Sequence, residues 1–348
     1  MKSVDVLLDG QSLVTPRSIA AEILSIKSNP VNERDKLEAE SELAIILNLA
    51  GQQIEKQMEP DQIHGMLGAG LHALRAKSSP AIWQHLIALA QSHPIASYFL
   101  QDPFTRWSFV KPRGYSGDAQ LIDFIYGHPS LNDEIANSTP TGLALYEVNR
   151  NSSASRAVRE RRDLLTQHID EIAGSRGGDA EILTIAAGHL REANNSVALQ
   201  QQRIKRWVAL DQDPMSIGSI RRDFADTCIE AVDGSVRSLL TNAHDLGTFD
   251  FVYAAGLYDY LNDKVSIKLT RKCLQMLKPN GVFMFANFSE DIIADGYMET
   301  FMNWALLLRT EEDMWRIMRA STDDGVFDCF VRFGENRNIV YGFMRKIG

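Results

Sequence analysis

The stretch that most constrains the fold is residues 181–192, EILTIAAGHLRE. It begins as a short apolar run rich in β-branched residues and preceded by glycines, a pattern typical of a parallel strand covered on both faces. Ala186, Ala187 and Gly188 follow, and their small side chains let a ligand approach the backbone closely. Arg191 then opens a predicted helix, whose free N–H groups favour polar or anionic ligand groups. Strand, small-residue loop and helix make the nucleotide-site geometry of a doubly wound α/β sheet.

The same loop lacks the dinucleotide fingerprint G-x-G-x-x-G, because Gly188 is its only glycine. A pyrophosphate needs that close backbone cradle, so a nicotinamide-dependent oxidoreductase is disfavoured. A ligand that carries adenosine but no phosphate, such as S-adenosylmethionine (SAM), needs the cradle less. Taken alone, the loop also fits a plain βα unit that binds no ligand.

Composition limits the classes of protein to which the chain can belong. Its 348 residues are 45% hydrophobic and 23% charged, which predicts a soluble globular protein with a large core and two domains. The net charge of −9 disfavours a nucleic-acid partner, since proteins that clamp phosphates usually carry a basic surface. The N-terminal residues do not form a secretory signal, and no apolar run is long enough to span a membrane. The three widely spaced cysteines fit no zinc or disulfide pattern, so we expect a cytoplasmic protein.

Residues 1–150 predict a mainly helical domain, with apolar residues at helical spacing over 33–57, a second helix capped by Asp61 and a third that starts at Pro80. Four histidines lie between residues 61 and 93, and we expect exposed or capping roles for them rather than a metal site because their spacings do not repeat at i, i+4. They are His64, His72, His85 and His93.

The segment 111–118, KPRGYSGD, predicts a loop, and Asp118 can cap the helix that follows over 119–126. Because the loop gathers Arg113, Tyr115 and a lysine, it is a candidate lid or substrate clamp. A rigid connection between domains with packed aromatic residues is an equally weighted alternative. The arginine-rich helix that comes next, over 149–173, predicts a solvated face with local ion pairs.

Residues 151–348 predict the sheet domain. Strands alternate with helices from 181 to 286, which indicates a parallel sheet with right-handed crossovers. Thr310 and Asp313 form a capping box, and strands at 326–333 and 339–344 predict an antiparallel hairpin at the C-terminal end.

Ligands of open parallel sheets bind beyond the carboxyl ends of the strands, where this chain places Gly188, Asp211, Asp233 and Gly256. Asp211 follows Gly188 by 211 − 188 = 23 positions, near the roughly 20 expected for an acid that binds ribose hydroxyls. Asp233 can accept from an adenine amino group, with the N–H groups of Gly234 and Ser235 near the ring. The alternative for each aspartate is a helix or turn cap.

These motifs resemble the class I SAM-dependent methyltransferases, a family with a Rossmann-like sheet. IAAGHLREA stands at the glycine-rich motif, WVALDQD at the ribose-binding acid, FDFVYAAGLYDYL and LKPNGVFMFANF at the fourth and fifth strands, and the hairpin at the sixth and seventh. The resemblance implies SAM as co-substrate and a cofactor site made by Ala187, Gly188, His189, Asp211, Gln212, Asp233, Gly234, Ser235 and Gly256. His189 departs from the family pattern, which usually has a small residue there.

The N-terminal half, with KPRGYSGD, is similar to a bacterial subgroup that adds a helical domain to this fold and acts mostly on small-molecule or fatty-acid-derived metabolites. The resemblance implies methyl transfer to a small acceptor. It leaves open the cyclisation of SAM itself, as in the similarly built azetidine-2-carboxylate synthases, and a non-catalytic SAM-binding protein. The candidates for contact with the reacting groups are Tyr115, Tyr258 and Asn194, with the neighbouring Asn195, and those for a lid or clamp are Arg113 and Arg191.

Overall fold

The computed structural model describes residues 32–323 and 325–348, so residues 1–31 of the predicted helical domain lie outside the described residues. The described chain divides into two compact units. The helical unit comprises residues 32–156 and Ile292–Ala305, and the sheet unit comprises Ala157–Asp291 and Leu306–Gly348.

The helical unit is built from short and medium helices. In chain order they are α1 (Glu33–Glu55), α2 (Pro60–Lys77), α3 (Pro80–Ser92), α4 (Ala96–Phe99), α5 (Pro103–Val110), α6 (Ala119–Tyr126), a 3₁₀ turn (Pro129–Leu131), α7 (Asn132–Ala136) and α8 (Pro140–Arg150). Helix α9 (Ser153–Ser175) carries the chain from this unit into the sheet unit.

Local sequence accounts for most of the helix ends in this unit. Asp118 caps α6 as predicted, since its carboxylate accepts from the backbone N–H groups of Gln120 and Leu121. The prediction that Asp61 caps α2 is wrong. Pro60 occupies the first helical position, which needs no N–H donor, and Asp61 lies inside the first turn.

A segment from the second half of the chain, Ile292–Ala305, belongs to the helical unit, although the division at residue 150 assigned it to the sheet domain. It carries α14 (Asp295–Thr300), which packs closely on α2. A Cβ on Gly296 would lie 2.5 Å from the backbone carbonyl carbon of Leu71, so only glycine permits this approach. Arg75 joins the two helices by ion pairs to Asp295 at 2.9 Å and to Glu299 at 2.8 Å.

The sheet unit contains a seven-stranded sheet in the order β3-β2-β1-β4-β5-β7-β6. The strands are β1 (Ala180–Ile185), β2 (Ile204–Asp211), β3 (Ile229–Asp233), β4 (Phe249–Ala254), β5 (Leu277–Phe288), β6 (Phe327–Phe333) and β7 (Ile339–Lys346). Strands β1 to β5 pair in parallel, whereas β7 is antiparallel to both β5 and β6. The parallel sheet and the C-terminal antiparallel hairpin predicted from the sequence are therefore confirmed.

Helices connect these strands and cover the sheet. They are α10 (Val197–Gln200), α11 (Pro214–Asp223), α12 (Val236–Leu240), α13 (Asp263–Gln275) and α15 (Glu311–Arg319), with 3₁₀ turns at Arg191–Asn195 and Tyr258–Tyr260. A hydrophobic core is formed by residues of strands β1, β2, β4, β5 and β7 and of helices α12, α13 and α15. The capping box of Thr310 and Asp313 begins α15 as predicted.

The connection after β1 differs from the continuous helix predicted to open at Arg191. A 3₁₀ turn ends at Asn195, and α10 begins only after Ser196 in an extended conformation. Asparagine and serine hydrogen-bond readily outside helices, which favours such a break. Asp170 of α9 then accepts from the backbone N–H groups of Val197 and Ala198, so this short helix end is already satisfied within the protein.

Among the described residues, no helix combines the length and the apolar character needed to cross a lipid bilayer.

Candidate ligand site at the carboxyl edge of the sheet

The loop after β1 has an unusual backbone. Ala186, Gly188 and Leu190 have φ angles of 56°, 56° and 52°. All three lie in the left-handed region, which residues other than glycine rarely adopt. Such conformations persist only where the surroundings enforce them, and they cluster at ligand sites. The N–H of Ala187 donates to the carbonyl of Leu210 at 3.1 Å, so strand β2 holds the loop in place.

Asp211 ends β2 and is the main anchor of this loop. Its Oδ2 accepts from the N–H of Gly188 at 2.7 Å and its Oδ1 accepts from the N–H of Asp213 at 2.8 Å. The carboxylate therefore ties the first loop of the sheet to the second. Gly188 and Asp211, selected from the sequence by their spacing, lie together at the edge of the sheet.

Asp233 ends β3 and is the register partner of Asp211 on the adjacent strand. Its side chain is exposed, whereas that of Asp211 is buried. Gly234 follows and donates to the backbone carbonyl of Asp211 at 2.9 Å. A Cβ on Gly234 would lie 2.8 Å from Nε2 of His244, so a larger residue would clash with this ring. Ser235 caps α12. Asp211 and Asp233 therefore stand side by side at the ends of their strands, with α12 beginning just after Asp233.

The end of β4 brings a buried cation to the same edge. Nη1 of Arg161 donates to the carbonyl of Ala255 at 2.6 Å, and the guanidinium lies 3.7 Å from the position that a Cβ of Gly256 would take. Arg161 is buried, so its assignment to the solvated face of α9 is wrong. The alternation of charges along the helix gave no sign of this, because it does not show which turn of α9 packs on the sheet.

Glu192 is a further buried acid that the sequence reasoning did not select. Its Oε1 accepts from the hydroxyl of Tyr253 at 2.6 Å, and burial raises the pKa of its carboxyl group, an effect opposed by that hydrogen bond and by the charges of Arg161 and Arg162. In the sequence, only its position four residues after Gly188 indicates that Glu192 lies near the ligand site.

This chain resembles known proteins in structure at low sequence identity. No protein-family model matches the chain, and no curated protein matches it by sequence. A Bordetella parapertussis structure described as a possible exported protein shares 15% identity, with 89% of this chain and 97% of that chain covered and a TM-score of 0.52. The N-methyltransferase NodS of Bradyrhizobium japonicum with S-adenosyl-L-homocysteine shares 16% over 64% and 99%, with a TM-score of 0.39. The plantazolicin methyltransferase BamL shares 9% over 70% and 98%, with a TM-score of 0.43. At 15% identity the likeness to the Bordetella structure bears on the fold alone.

The strand order, with β7 antiparallel beside β5, decides the fold. The sheet unit has the class I methyltransferase fold. The predicted Rossmann-like sheet with a helical N-terminal region is thereby confirmed.

Tyr258, selected as a candidate catalytic residue, has its side chain in the core of the sheet unit. Its ring is fully buried in the core, 4.5 Å from that of Phe285, and its hydroxyl is 2.8 Å from Oγ1 of Thr270. Burial raises the pKa of the phenol well above its ordinary value. The aromatic motif after β4 thus serves packing.

Arg191 and His189 are also held by the protein. Nη1 of Arg191 pairs with Asp223 of α11 at 3.2 Å, and its Nη2 lies 3.3 Å from Nδ1 of His189. Both side chains are buried, whereas Asn194 is exposed in the 3₁₀ turn. Gln212 is half-buried next to Asp211. These contacts fix the position of the Arg191 side chain, and the clamp role stays a prediction.

In the helical unit, the loop 111–118 is firmly packed around Asp118. This carboxylate accepts from Nε1 of Trp107 at 3.0 Å, and Nε of the buried Arg113 lies 3.7 Å from its Oδ1. Arg113 also donates to Oε1 of Gln120 at 3.3 Å. These contacts hold Arg113 within the helical unit, and Tyr115 is half-buried. The lid or clamp and the rigid connection both stay predictions.

The four histidines between residues 61 and 93 are not gathered into one cluster. His72 pairs with Asp295 at 2.7 Å and His85 with Glu40 at 2.6 Å. The ring centroid of His64 lies 4.3 Å from that of Tyr297, and burial lowers the pKa of His64 to about 4. In the parts of the chain that the structure describes, no three acidic, histidine or cysteine side chains are arranged to hold a metal ion.

Proposed function

We propose that this protein is a SAM-dependent methyltransferase that acts on a small-molecule acceptor. The observation that carries the proposal is the pairing of Asp211 and Asp233 at adjacent strand ends, beside the left-handed loop of Gly188, in a class I methyltransferase fold. In this assignment Asp211 accepts from the ribose hydroxyls and Asp233 from the adenine amino group. Ala187, Gly188 and Gly256 offer backbone to the remainder of SAM.

The residues present suit this ligand. Two carboxylates can bind the neutral, donor-rich parts of adenosine, and they also favour the cationic sulfonium over an anionic pyrophosphate. The carboxylate of Asp233 is exposed and so can be reached by a ligand. Bound SAM supplies an electrophilic methyl group, and the protein must hold the acceptor in line with it at about 3 Å while excluding water.

The direct test is calorimetric titration of the full chain with S-adenosylhomocysteine. We expect binding, and we expect Asp233→Ala to weaken it by roughly 1.5–3 kcal/mol, the range for a hydrogen bond to a charged group. Because Asp233 is exposed, this variant should keep its fold. Asp226→Ala is the matched control, since Asp226 is an exposed aspartate that precedes β3 and lies at the opposite edge of the sheet. Absence of binding to both S-adenosylhomocysteine and SAM would overturn the proposal.

Product analysis separates the proposed reaction from its alternatives. A methyltransferase should form S-adenosylhomocysteine only when a small-molecule fraction containing the acceptor is added. Methylthioadenosine formed from SAM alone, faster than in an enzyme-free control, would instead show intramolecular cyclisation. Binding without either product would indicate a SAM-binding protein. Tyr115→Phe and Tyr115→Ala test the role predicted for that side chain, through turnover measured beside the urea midpoint.

Secondary metabolism remains the setting that we propose for this activity. We also propose the cytoplasm as its location, since Cys228, Cys273 and Cys329 are free thiols and suit a reducing compartment.

A further inference from the structure

Strand β6 forms one end of the sheet. Among the described residues it pairs with β7 on one side and with no strand on the other. Exposed edges of this kind are templates for pairing with another chain, and proteins usually protect them or use them. The neighbourhood of this edge is apolar, since Phe330 is 45% exposed and Ile347 is 56% exposed.

The hydrogen bonds of the hairpin show which backbone groups of β6 face outward. Gly334 donates to Ile339 at 2.8 Å and Ile347 donates to Val326 at 3.1 Å. Hydrogen-bonded pairs alternate along an antiparallel ladder, so the even-numbered residues of β6 bond to β7. The outward N–H and C=O groups therefore belong to the odd-numbered residues, which are Phe327, Cys329, Val331 and Phe333.

In the sequence of β6, FDCFVRF, apolar and charged residues are arranged symmetrically about Phe330. Asp328 stands two residues before this centre and Arg332 two residues after it. All three side chains are exposed on the same face, whereas the odd-numbered residues are half-buried against the core on the other face. Arg332 is held at its position by stacking over the ring of Phe343 at 5.2 Å.

We propose that β6 is a homodimer interface, in which two copies pair antiparallel about a two-fold axis through Phe330. This register places Asp328 of one copy opposite Arg332 of the other, and the two-fold axis forms the ion pair twice. It also sets Phe327 opposite Phe333 and Cys329 opposite Val331, so each outward backbone group meets an outward partner. The two seven-stranded sheets become one continuous sheet.

Charge complementarity favours this register, and it favours a second copy of the chain as the partner of β6. A shift of the two-fold axis by one residue in either direction would place Asp328 opposite Phe330 or Gly334 instead of Arg332. Charges that serve only to repel other strands need no such symmetry, and like charges would serve better. In the proposed register the charged pairs are the non-hydrogen-bonded ones, whose side chains approach most closely.

The first experiment measures the mass of the full chain by light scattering over a concentration series. We expect a species of twice the chain mass of 39.0 kDa. Val331→Pro removes an outward N–H while leaving the ladder to β7 intact, so it should be folded and monomeric. Val331→Thr keeps both the N–H and the β-branched shape and should remain dimeric. A monomeric wild type, or a folded Val331→Pro variant that still dimerises, would overturn the proposal.

The second experiment tests the register. Phe330→Cys places one thiol from each copy beside the two-fold axis, where the Cα atoms of a non-hydrogen-bonded pair are about 4.5 Å apart, within disulfide range. Mild oxidation should link this variant through the introduced thiols. In the wild type the two copies of Cys329 face Val331 and should stay unlinked. Linkage of Cys329 to itself, or none in Phe330→Cys, would refute this register.

The third experiment tests the ion pairs. Arg332→Asp places like charges opposite each other twice, and we expect the dimer dissociation constant to rise by at least about tenfold. Arg332→Gln removes the attraction without adding repulsion and should fall between that variant and the wild type. Equal dissociation constants for all three proteins would contradict the pairing of Asp328 with Arg332.

Discussion

Replacement of Asp211 by alanine tests the geometry of the strand-end site most sharply, because this carboxylate holds two loops. Asp211→Ala removes the acceptor of the Gly188 N–H at 2.7 Å and of the Asp213 N–H at 2.8 Å. An unsatisfied buried donor costs about 1–3 kcal/mol. Asp213 is fully buried, but Gly188 is half-buried and its N–H can recruit water. We therefore expect the free energy of unfolding to fall by about 2–4 kcal/mol.

The assay is urea unfolding followed by far-UV circular dichroism, beside calorimetric titration with S-adenosylhomocysteine. Asp211→Asn keeps one acceptor oxygen but turns an NH₂ group toward the other donor, so it should lose about half as much stability. Asp226→Ala is the control and should change the unfolding free energy by less than about 0.5 kcal/mol.

Two outcomes would refute the reasoning about Asp211. A urea midpoint of Asp211→Ala equal to that of the control would show that the carboxylate does not hold the loops. A folded variant that binds S-adenosylhomocysteine as tightly as the wild type would remove Asp211 from the proposed ribose site.

Two further predictions concern pH and packing. Burial raises the pKa of Asp259 from 3.8 to about 6, so its carboxyl group stabilises the fold most below pH 4, and this contribution is lost as the pH rises through about 6. Asp259→Asn cannot ionise, and its unfolding free energy relative to the wild type should rise by about 2 kcal/mol between pH 4 and pH 7 in urea titrations; a constant difference would contradict the raised pKa. Gly296→Ala forces a Cβ against the backbone of Leu71 and should lower the unfolding free energy by at least about 1–3 kcal/mol. The control Gly218→Ala has open space within α11 and should raise it by about 0.5–1 kcal/mol, and equal effects would disprove the close helix contact.

The class of fold follows from the sequence alone because its signals are local. Buried parallel strands appear as short apolar runs, and the capping box at Thr310 and the cap at Asp118 act within one helical turn. The spacing between Gly188 and Asp211 predicts the ligand site for the same reason. Each residue lies at or just after the carboxyl end of a strand, and the carboxyl ends of parallel strands meet at one edge of the sheet.

Contacts between distant segments were decided only by the tertiary structure. The burial of Arg161 and Glu192 depends on which turn of α9 and which part of the loop after β1 face the strand ends. Tyr258 occupies the core because Phe285 and Thr270 approach it from other elements. The segment Ile292–Ala305 joins the helical unit through Gly296, where the missing Cβ lets two helices touch. Periodicity reports the face of an element that is apolar, but it does not report the partner that covers this face, because the partner is chosen by packing over long distances in the chain.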